Sequence, residues 1–236
     1  MKKVSTSVFD SYHFGSSIAL SDQQLRQLIT IFNRPAKPSG STLGGRSAVT
    51  VTQITGIGPV VVKYYTRGGF IRHLVKSKYI RWGNIRSQAE FGLLQKVRNL
   101  GINAPKPVVY AYQGGLIYKA WLVTEEIKQH QTLAQLSLTD PDQAYLLMRK
   151  VATQISMLIH NKIIHVDLHP GNVLVDNTKD VFLIDFDKAH ICRLKKNKLR
   201  DKYLNRWKRA VIKHRLPDTL WKEMQKDLRE SEAFDP

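Results

Sequence analysis

The chain has 236 residues, enough to bury one good core or two lobes, and its 42% apolar content is ordinary for a globular protein. Its 37 Lys and Arg against 19 Asp and Glu leave a net charge of +18 and a pI near 10.0, a surface that seeks polyanions: nucleic acid, an anionic membrane or a phosphorylated substrate. The single cysteine, Cys192, excludes an internal disulfide and a thiolate zinc site; no run reaches a membrane span, and the start MKKVSTSVFDSYHFGSS lacks a signal-peptide core, so the expectation is a cytoplasmic, soluble or peripheral protein.

Residues 1–20 show no strong period and read as loosely ordered. Ser21 with Gln24 has the form of a capping box, and Leu25, Leu28, Ile29 and Phe32 follow at helical spacing until the loop from Pro35 to Gly40. Gly44 and Gly45 precede a strand over Ser47–Ile54, Gly56 and Gly58 turn the chain, and Pro59–Tyr65 reads as the partner strand. Glycines beside such a hairpin let backbone N–H groups approach phosphates, although an ordinary hairpin reads the same way. Lys63 sits inside a β-branched run, where a lysine either lies on an exposed edge or points into a polar cleft. The next helix is expected over Asn84–Leu100 with Ala89, Leu93, Val97 and Leu100 on its core face. On that helix Glu90 is either a solvated charge or the partner of Lys63, as in kinases that orient a phosphate-binding lysine.

From Tyr65 to Arg86 there are six Lys or Arg and no acid; Phe70, Ile71, Leu74 and Val75 would share a helix face, suited to an anionic membrane or to packing on the domain. Strands are expected over Val108–Tyr112 and Leu116–Thr124, joined by Gly114-Gly115. Asp140-Pro141 opens a long helix whose apolar stripe is read as Leu146, Leu147, Val151, Ile155, Leu158 and Ile159. Residues 191–215 carry eleven Lys or Arg against Asp201, with Tyr203 and Trp207 interleaved, and a last amphipathic helix lies near Leu220–Leu228.

The strongest signal runs from His165 to Asp187, HVDLHPGNVLVDNTKDVFLIDFD. Phosphoryl transfer needs one Asp to take or steer the proton of the attacking hydroxyl, and an Asn and a second Asp to hold the magnesium ions that neutralise the triphosphate. Asp167, Asn172 and Asp185 have that order, each beside a short apolar strand, Val173–Val175 or Val181–Ile184. Reading His165, Asp167 and His169 as a metal site instead is opposed by the Pro-Gly that follows, which argues for a loop.

The order of hairpin, strand lysine, helix glutamate, HxDLHxGN and DFD resembles the protein-kinase-like fold over about residues 40–190. KYYTRGG from Lys63, SQAEFGLLQKVRNLGINAPKPV from Ser87, and HVDLHPGNVLVD with LIDFDKA are similar to the bacterial lipopolysaccharide kinase family, most of all to its 3-deoxy-D-manno-octulosonic acid (Kdo) kinases. The fold implied is α+β, one two-lobed kinase-like domain over 1–236, with an antiparallel-sheet N-lobe at about 1–124 and a small helical C-lobe at 125–236. The resemblance implies Asp167 as catalytic base, Lys63 held by Glu90 as phosphate clamp, Gly44 and Gly45 at the phosphates, the backbone of Glu125 and Ile127 on the adenine, and Asn172 and Asp185 on Mg2+. It implies ATP as donor and the 4-hydroxyl of Kdo on a lipid A precursor as acceptor, at the cytoplasmic face of the inner membrane, with no nucleic acid or obligate protein partner. A heptose or other small-molecule hydroxyl kinase, or a non-catalytic polyanion-binding protein, are the alternatives. His-Val replaces His-Arg at His165, DFG becomes Asp185-Phe186-Asp187, and only 49 residues follow, so a small or lipid-linked acceptor suits the chain better than a polypeptide. His169, Arg67 and Lys188 are candidate acceptor contacts.

Overall fold

A computed structural model describes residues 4–34, 48–65, 79–80 and 85–230. Gly44, Gly45, Arg67 and nearly all of the basic stretch between Tyr65 and Arg86 lie outside the described residues. The chain forms two compact units: Met1–Lys96 with Pro105–Glu126, and Val97–Ala104 with Ile127–Pro236.

The first unit is an antiparallel sheet. Its strands are β1 (Ser5–Phe9), β2 (Tyr12–Ser16), β3 (Ala48–Ile54), β4 (Gly58–Tyr64), β5 (Tyr79–Ile80), β6 (Pro107–Gly114) and β7 (Ile117–Glu125). They run in the order β1-β2-β6-β7-β4-β3, with β5 also paired to β7. The first twenty residues are therefore not loose. β1 and β2 form a hairpin whose second strand pairs with β6 from Tyr12↔Gln113 to Ser16↔Val109. Helix α1 (Asp22–Phe32) starts at the Ser21–Gln24 capping box and covers one sheet face, where Leu28, Phe32, Val62 and Trp121 are buried together. Phe32 stacks on Trp121 with centroids 4.7 Å apart. Full burial of each such side chain is worth about 1.5–3 kcal/mol.

Helix α2 (Arg86–Asn99) differs in phase from the sequence expectation. Ser87, Glu90, Phe91, Leu94 and Val97 are buried, Ala89 is exposed and Leu93 only half-buried. Glu90, the candidate partner of Lys63, turns inward, and the buried face of the helix lies one position away from the expected one. Phe91 meets Tyr110 edge-on, and Ser87 Oγ donates to Ala111 O at 3.1 Å. Gly101, at φ +81, ends the helical segment in the left-handed region that favours glycine.

The second unit begins with β8 (Gln131–Thr132) and α3 (Leu133–Thr139), then α4 (Pro141–His160). α3 starts at a Thr132–Gln135 capping box that the apolar periodicity alone does not reveal. On α4 the expected stripe is right except at Leu146, which is 74% exposed; Ala144, Met148 and Ala152 complete the buried side. Then come β9 (Ile163–Ile164), β10 (Val173–Val175), β11 (Val181–Leu183), β12 (His190–Ile191), α5 (Lys196–Lys213) and α6 (Thr219–Glu230). β10 pairs with β11 and β8, and β12 with β9. The tail is more than a basic appendage: α6 packs on α4 and α5, and the buried Trp207 of α5 donates Nε1–H to Leu220 O at 2.9 Å.

Gly15 of β2 faces the buried ring of Tyr110, and a Cβ at this position would overlap that ring. Gly15→Ala should lower unfolding stability by about 1–3 kcal/mol, the usual cost of overpacking, measured by urea denaturation; an unchanged midpoint would show that the hairpin yields freely there.

Candidate active site

In the first unit the site is built on the alternation of β4. Val60, Val62 and Tyr64 enter the core under α1, so Lys63 must leave by the opposite face. β4 lies between β3 and β7, with Lys63 opposite Val49 and Leu122, so the edge-strand reading of this lysine does not hold. Lys63 Nζ stands 3.0 and 2.9 Å from the two carboxylate oxygens of Glu90. Their side chains are 12% and 3% exposed. Tyr65 donates its hydroxyl to Glu90 Oε2, and the Lys63 ammonium lies 5.3 Å from the centre of the Tyr65 ring. Tyr65 is the functional neighbour that sequence reading missed; its only signal is the KYY run. Removing either charge would strand the other in a poorly solvated place, at about 3–5 kcal/mol.

In the second unit β10 and β11 set the two ends of the HxDxxxxN and DFD motifs side by side. Val173 pairs with Leu183, so Asn172 falls opposite Ile184, the residue before Asp185. Ile184 N–H donates to Asn172 O at 3.0 Å. On the other side of the same residue, Ile184 O accepts from His165 Nε2 at 2.9 Å, which fixes the ring's proton on Nε2. Asn172 also donates Nδ2–H to Asp167 O at 2.8 Å. That bond uses the amide nitrogen and leaves its oxygen for another partner. Asp185 itself has φ +64, an uncommon left-handed backbone held by the grip on its neighbour. Phe186 is buried edge-on against His165, with centroids 4.6 Å apart.

α5 supports this loop from below. Tyr203 accepts from His165 N at 2.7 Å and donates to Ile163 O at 2.9 Å. Burial pushes the Tyr203 hydroxyl well above its ordinary pKa, so it stays a donor. Burial likewise drives His165 down to about 4, outweighing the bond to Ile184 O and the attraction of Asp185 and Asp167. Its Nδ1 is buried with no partner, as suits a neutral ring.

Asp167 is bracketed by two cations. Arg206, from α5, donates Nη2–H to Oδ1, and Lys188 Nζ lies 3.0 Å from Oδ2. Lys188 was among the sequence candidates. Arg206 was not, being one of eleven basic residues in its stretch; the available signal was its place three residues after Tyr203, on the adjoining line of the helix. Next to it the rings of His169 and His214 stand 6.4 Å apart. Burial, then His214 and Arg206, holds His169 below the usual imidazole value.

The structure thus brings Lys63 to Glu90 in the first unit, and Asp167, Asn172 and the strand leading to Asp185 together in the second. Glu125 ends β7, just before the close of the first unit: its N–H donates to Lys106 O at 2.9 Å, and its carboxylate meets Lys106 Nζ at 2.6 Å. Ile127 opens the next segment of the second, and its carbonyl accepts from the His130 ring. The oxygens of Asn172 and Asp185 are hard donors of the kind Mg2+ takes. Among the described residues no three His, Cys, Asp or Glu form a metal cage. A donor set this small suits a cation that fills its remaining positions with phosphate and water.

A sheet unit with a buried lysine–glutamate pair, followed by a helical unit with HxDxxxxN and DFD ends clamped together, defines the protein-kinase-like class. Within it, the model of the lipopolysaccharide kinase (Kdo/WaaP) family matches residues 35–227, and the chain belongs to that family. It is 34% identical over 149 residues to a protein of Vibrio vulnificus, covering 62% of each chain, and 30% identical over 196 residues to one of Vibrio parahaemolyticus, covering 79% of this chain and 78% of the other. A protein of Xylella fastidiosa is 27% identical over 210 residues, covering 86% and 83%. All three are named 3-deoxy-D-manno-octulosonic acid kinase.

His165 titrates near 6.5 when unfolded and near 4 when folded, so the unfolded chain binds the extra proton first. Stability is unaffected above that window and falls as the pH drops from about 6.5 to 4, by up to about 3 kcal/mol. Denaturant titrations of wild type and His165→Gln across this range should show a smaller acid loss in the variant; equal losses would assign the effect to other groups.

Proposed function

We propose that this chain is an ATP- and magnesium-dependent kinase that phosphorylates the 4-hydroxyl of Kdo on a Kdo-lipid A precursor. The observation that carries the reading is the buried Lys63–Glu90 pair, at 2.9 Å, in a chain of this family. A lysine held so deep needs a reason beyond stability, since buried ion pairs contribute little net. Orienting an ammonium toward a phosphate is such a reason.

Asp167 accepts the hydrogen bond of the acceptor hydroxyl and steers its proton. The hydroxyl oxygen forms a bond to the γ-phosphorus as the bond to the β-bridging oxygen breaks. The products are the phosphomonoester, ADP and one proton. Asn172 and Asp185 would hold magnesium, which would neutralise the triphosphate charge. Lys63, kept in place by Glu90 and Tyr65, meets the donor phosphates, and the backbone of Glu125 and Ile127 meets the adenine. His165, Tyr203 and Ile184 position the loop without touching the reacting atoms.

The same reading puts the protein at the cytoplasmic face of the inner membrane, as a peripheral protein. No helix among the described residues is long and apolar enough to cross a membrane. α5 instead exposes Lys198, Lys202, Arg209 and Lys213. Basic side chains near an anionic leaflet contribute about 1 kcal/mol each. Ile212 is exposed on the same helix and adds an apolar contact.

Incubation of the protein with Kdo-bearing lipid A precursor, ATP and Mg2+ should give a product heavier by one phosphate in the mass spectrum. Asp167→Ala should reduce the rate by a factor of about 100 or more, the range of a lost general base. Absence of transfer by wild type and Asp167→Ala alike would overturn the reading, and transfer to a heptose acceptor in preference would redirect it.

Cosedimentation tests the location. Binding to phosphatidylglycerol vesicles should exceed binding to phosphatidylcholine vesicles, weaken with salt, and fall further in Lys198→Glu/Lys202→Glu. Equal binding to neutral vesicles would refute an electrostatic attachment.

A further inference from the structure

Asp167 needs one partner to be held still and has two. Arg206 spends one of its five N–H donors on Oδ1, the one hydrogen bond its fork makes among the described residues. Lys188 spends one of three on Oδ2. Lys188 is 61% exposed and Arg206 35%. Both lie at the candidate base, and the charges of these three side chains sum to one excess positive. His169 beside them is held below the usual imidazole value, first by burial, and so adds little to that excess near neutral pH.

Arg206 is brought here at a definite structural expense. α5 reaches the loop through the buried Tyr203 and is locked from behind by Trp207, so residue 206, between and beside them, has no alternative direction. A stretch with ten other basic residues thus commits one guanidinium to the reacting end. A carboxylate has room for about four hydrogen bonds, so Asp167 can take an acceptor hydroxyl while keeping both cations. A group bound to the unused donors of Arg206 or Lys188 would then be linked to that hydroxyl through three hydrogen bonds, so that it lies within about 9 Å of it and closer where the path bends around the carboxylate. Two substituents of one sugar ring fall inside that limit.

We propose that Arg206 and Lys188 form the subsite for a carboxylate on the acceptor sugar, so that the C-terminal helix α5 selects an acidic sugar over a neutral one. The proposal rests on the kinase reading above and deepens it. Arg206 supplies the planar fork that matches a carboxylate, and Lys188 a mobile point charge beside it. The same residues hold Asp167 until the acceptor arrives, which makes the base and the selector one assembly.

The test compares Kdo-bearing lipid A precursor with the same acceptor carrying its sugar carboxylate as a methyl ester. Wild type should prefer the acid in kcat/KM by roughly 10- to 100-fold, the value of a charge-assisted bond. In Arg206→Gln the acid should fall toward the ester and the ratio toward one, with KM for ATP unchanged. Lys188→Gln should reduce the ratio less, and Arg206→Lys should restore it in part. Thermal melting of each variant checks that the fold is intact. A preference for the acid that survives in Arg206→Gln, or its absence in wild type, would overturn the subsite. If wild type transfers phosphate to neither acceptor, the kinase reading has failed, and the subsite is then judged by binding. Saturation-transfer NMR with free Kdo and its methyl ester should still show the acid preferred, and the preference lost in Arg206→Gln. Equal binding of acid and ester by wild type would overturn it independently.

Discussion

The peptide groups of Ile184 are gripped from both sides, its N–H by Asn172 O and its carbonyl by His165 Nε2. Each bond is worth only about 1 kcal/mol net, but leaving such a buried group unpaired costs about 1–3. The residue therefore has one acceptable place, and Asp185 follows from it in a left-handed conformation that a free chain would seldom keep. The imidazole that makes half of this grip is itself secured by Phe186 on its edge and, through its backbone, by the Tyr203 hydroxyl. The carboxylate expected to hold a metal is thus oriented by Asn172, His165, Phe186 and Tyr203, and of these only Asn172 is itself a candidate metal donor.

The first unit uses a different device for a similar end. Strand alternation sends Lys63 away from the α1 core, and α2 turns Glu90 inward to meet it. The pair contributes little to stability in sum, because desolvating both charges offsets most of their attraction. What it does provide is direction. A buried ammonium with a two-oxygen partner and a tyrosine hydroxyl on the same carboxylate has few rotamers left.

The motif His165–Asp187 was readable because it is local: every group sits within 23 residues, and two three-residue strands carry it. Family membership was legible for the same reason. The misreadings have specific causes. β1 is mostly exposed and shows no apolar alternation, and in β2 the alternation is only Tyr12 and Phe14, too short to stand out; the hairpin is held because β2 pairs with β6. Ala89 and Leu93 fall off the core face of α2 because Glu90, read as a partner for Lys63, takes a buried place beside Phe91 and Leu94 and shifts that face by one position. Leu146 was counted as core because periodicity does not distinguish the flank of a stripe from its centre.

By itself the sequence determined the order of the chemical groups, the strand and helix that carry Lys63 and Glu90, and the family, since all of these are written in short spacings and short-range periodicity. Only the tertiary structure decided that α5 returns to the catalytic loop and that Arg206, out of eleven basic residues in its stretch, stands on Asp167. It decided too that Tyr203 and not a main-chain ladder carries His165. The physical reason is distance along the chain. The stripe of Leu199, Tyr203, Trp207 and Val211 marks the inward face of α5, but contacts separated by 38 and 39 residues depend on what that face packs against, and no local pattern encodes that.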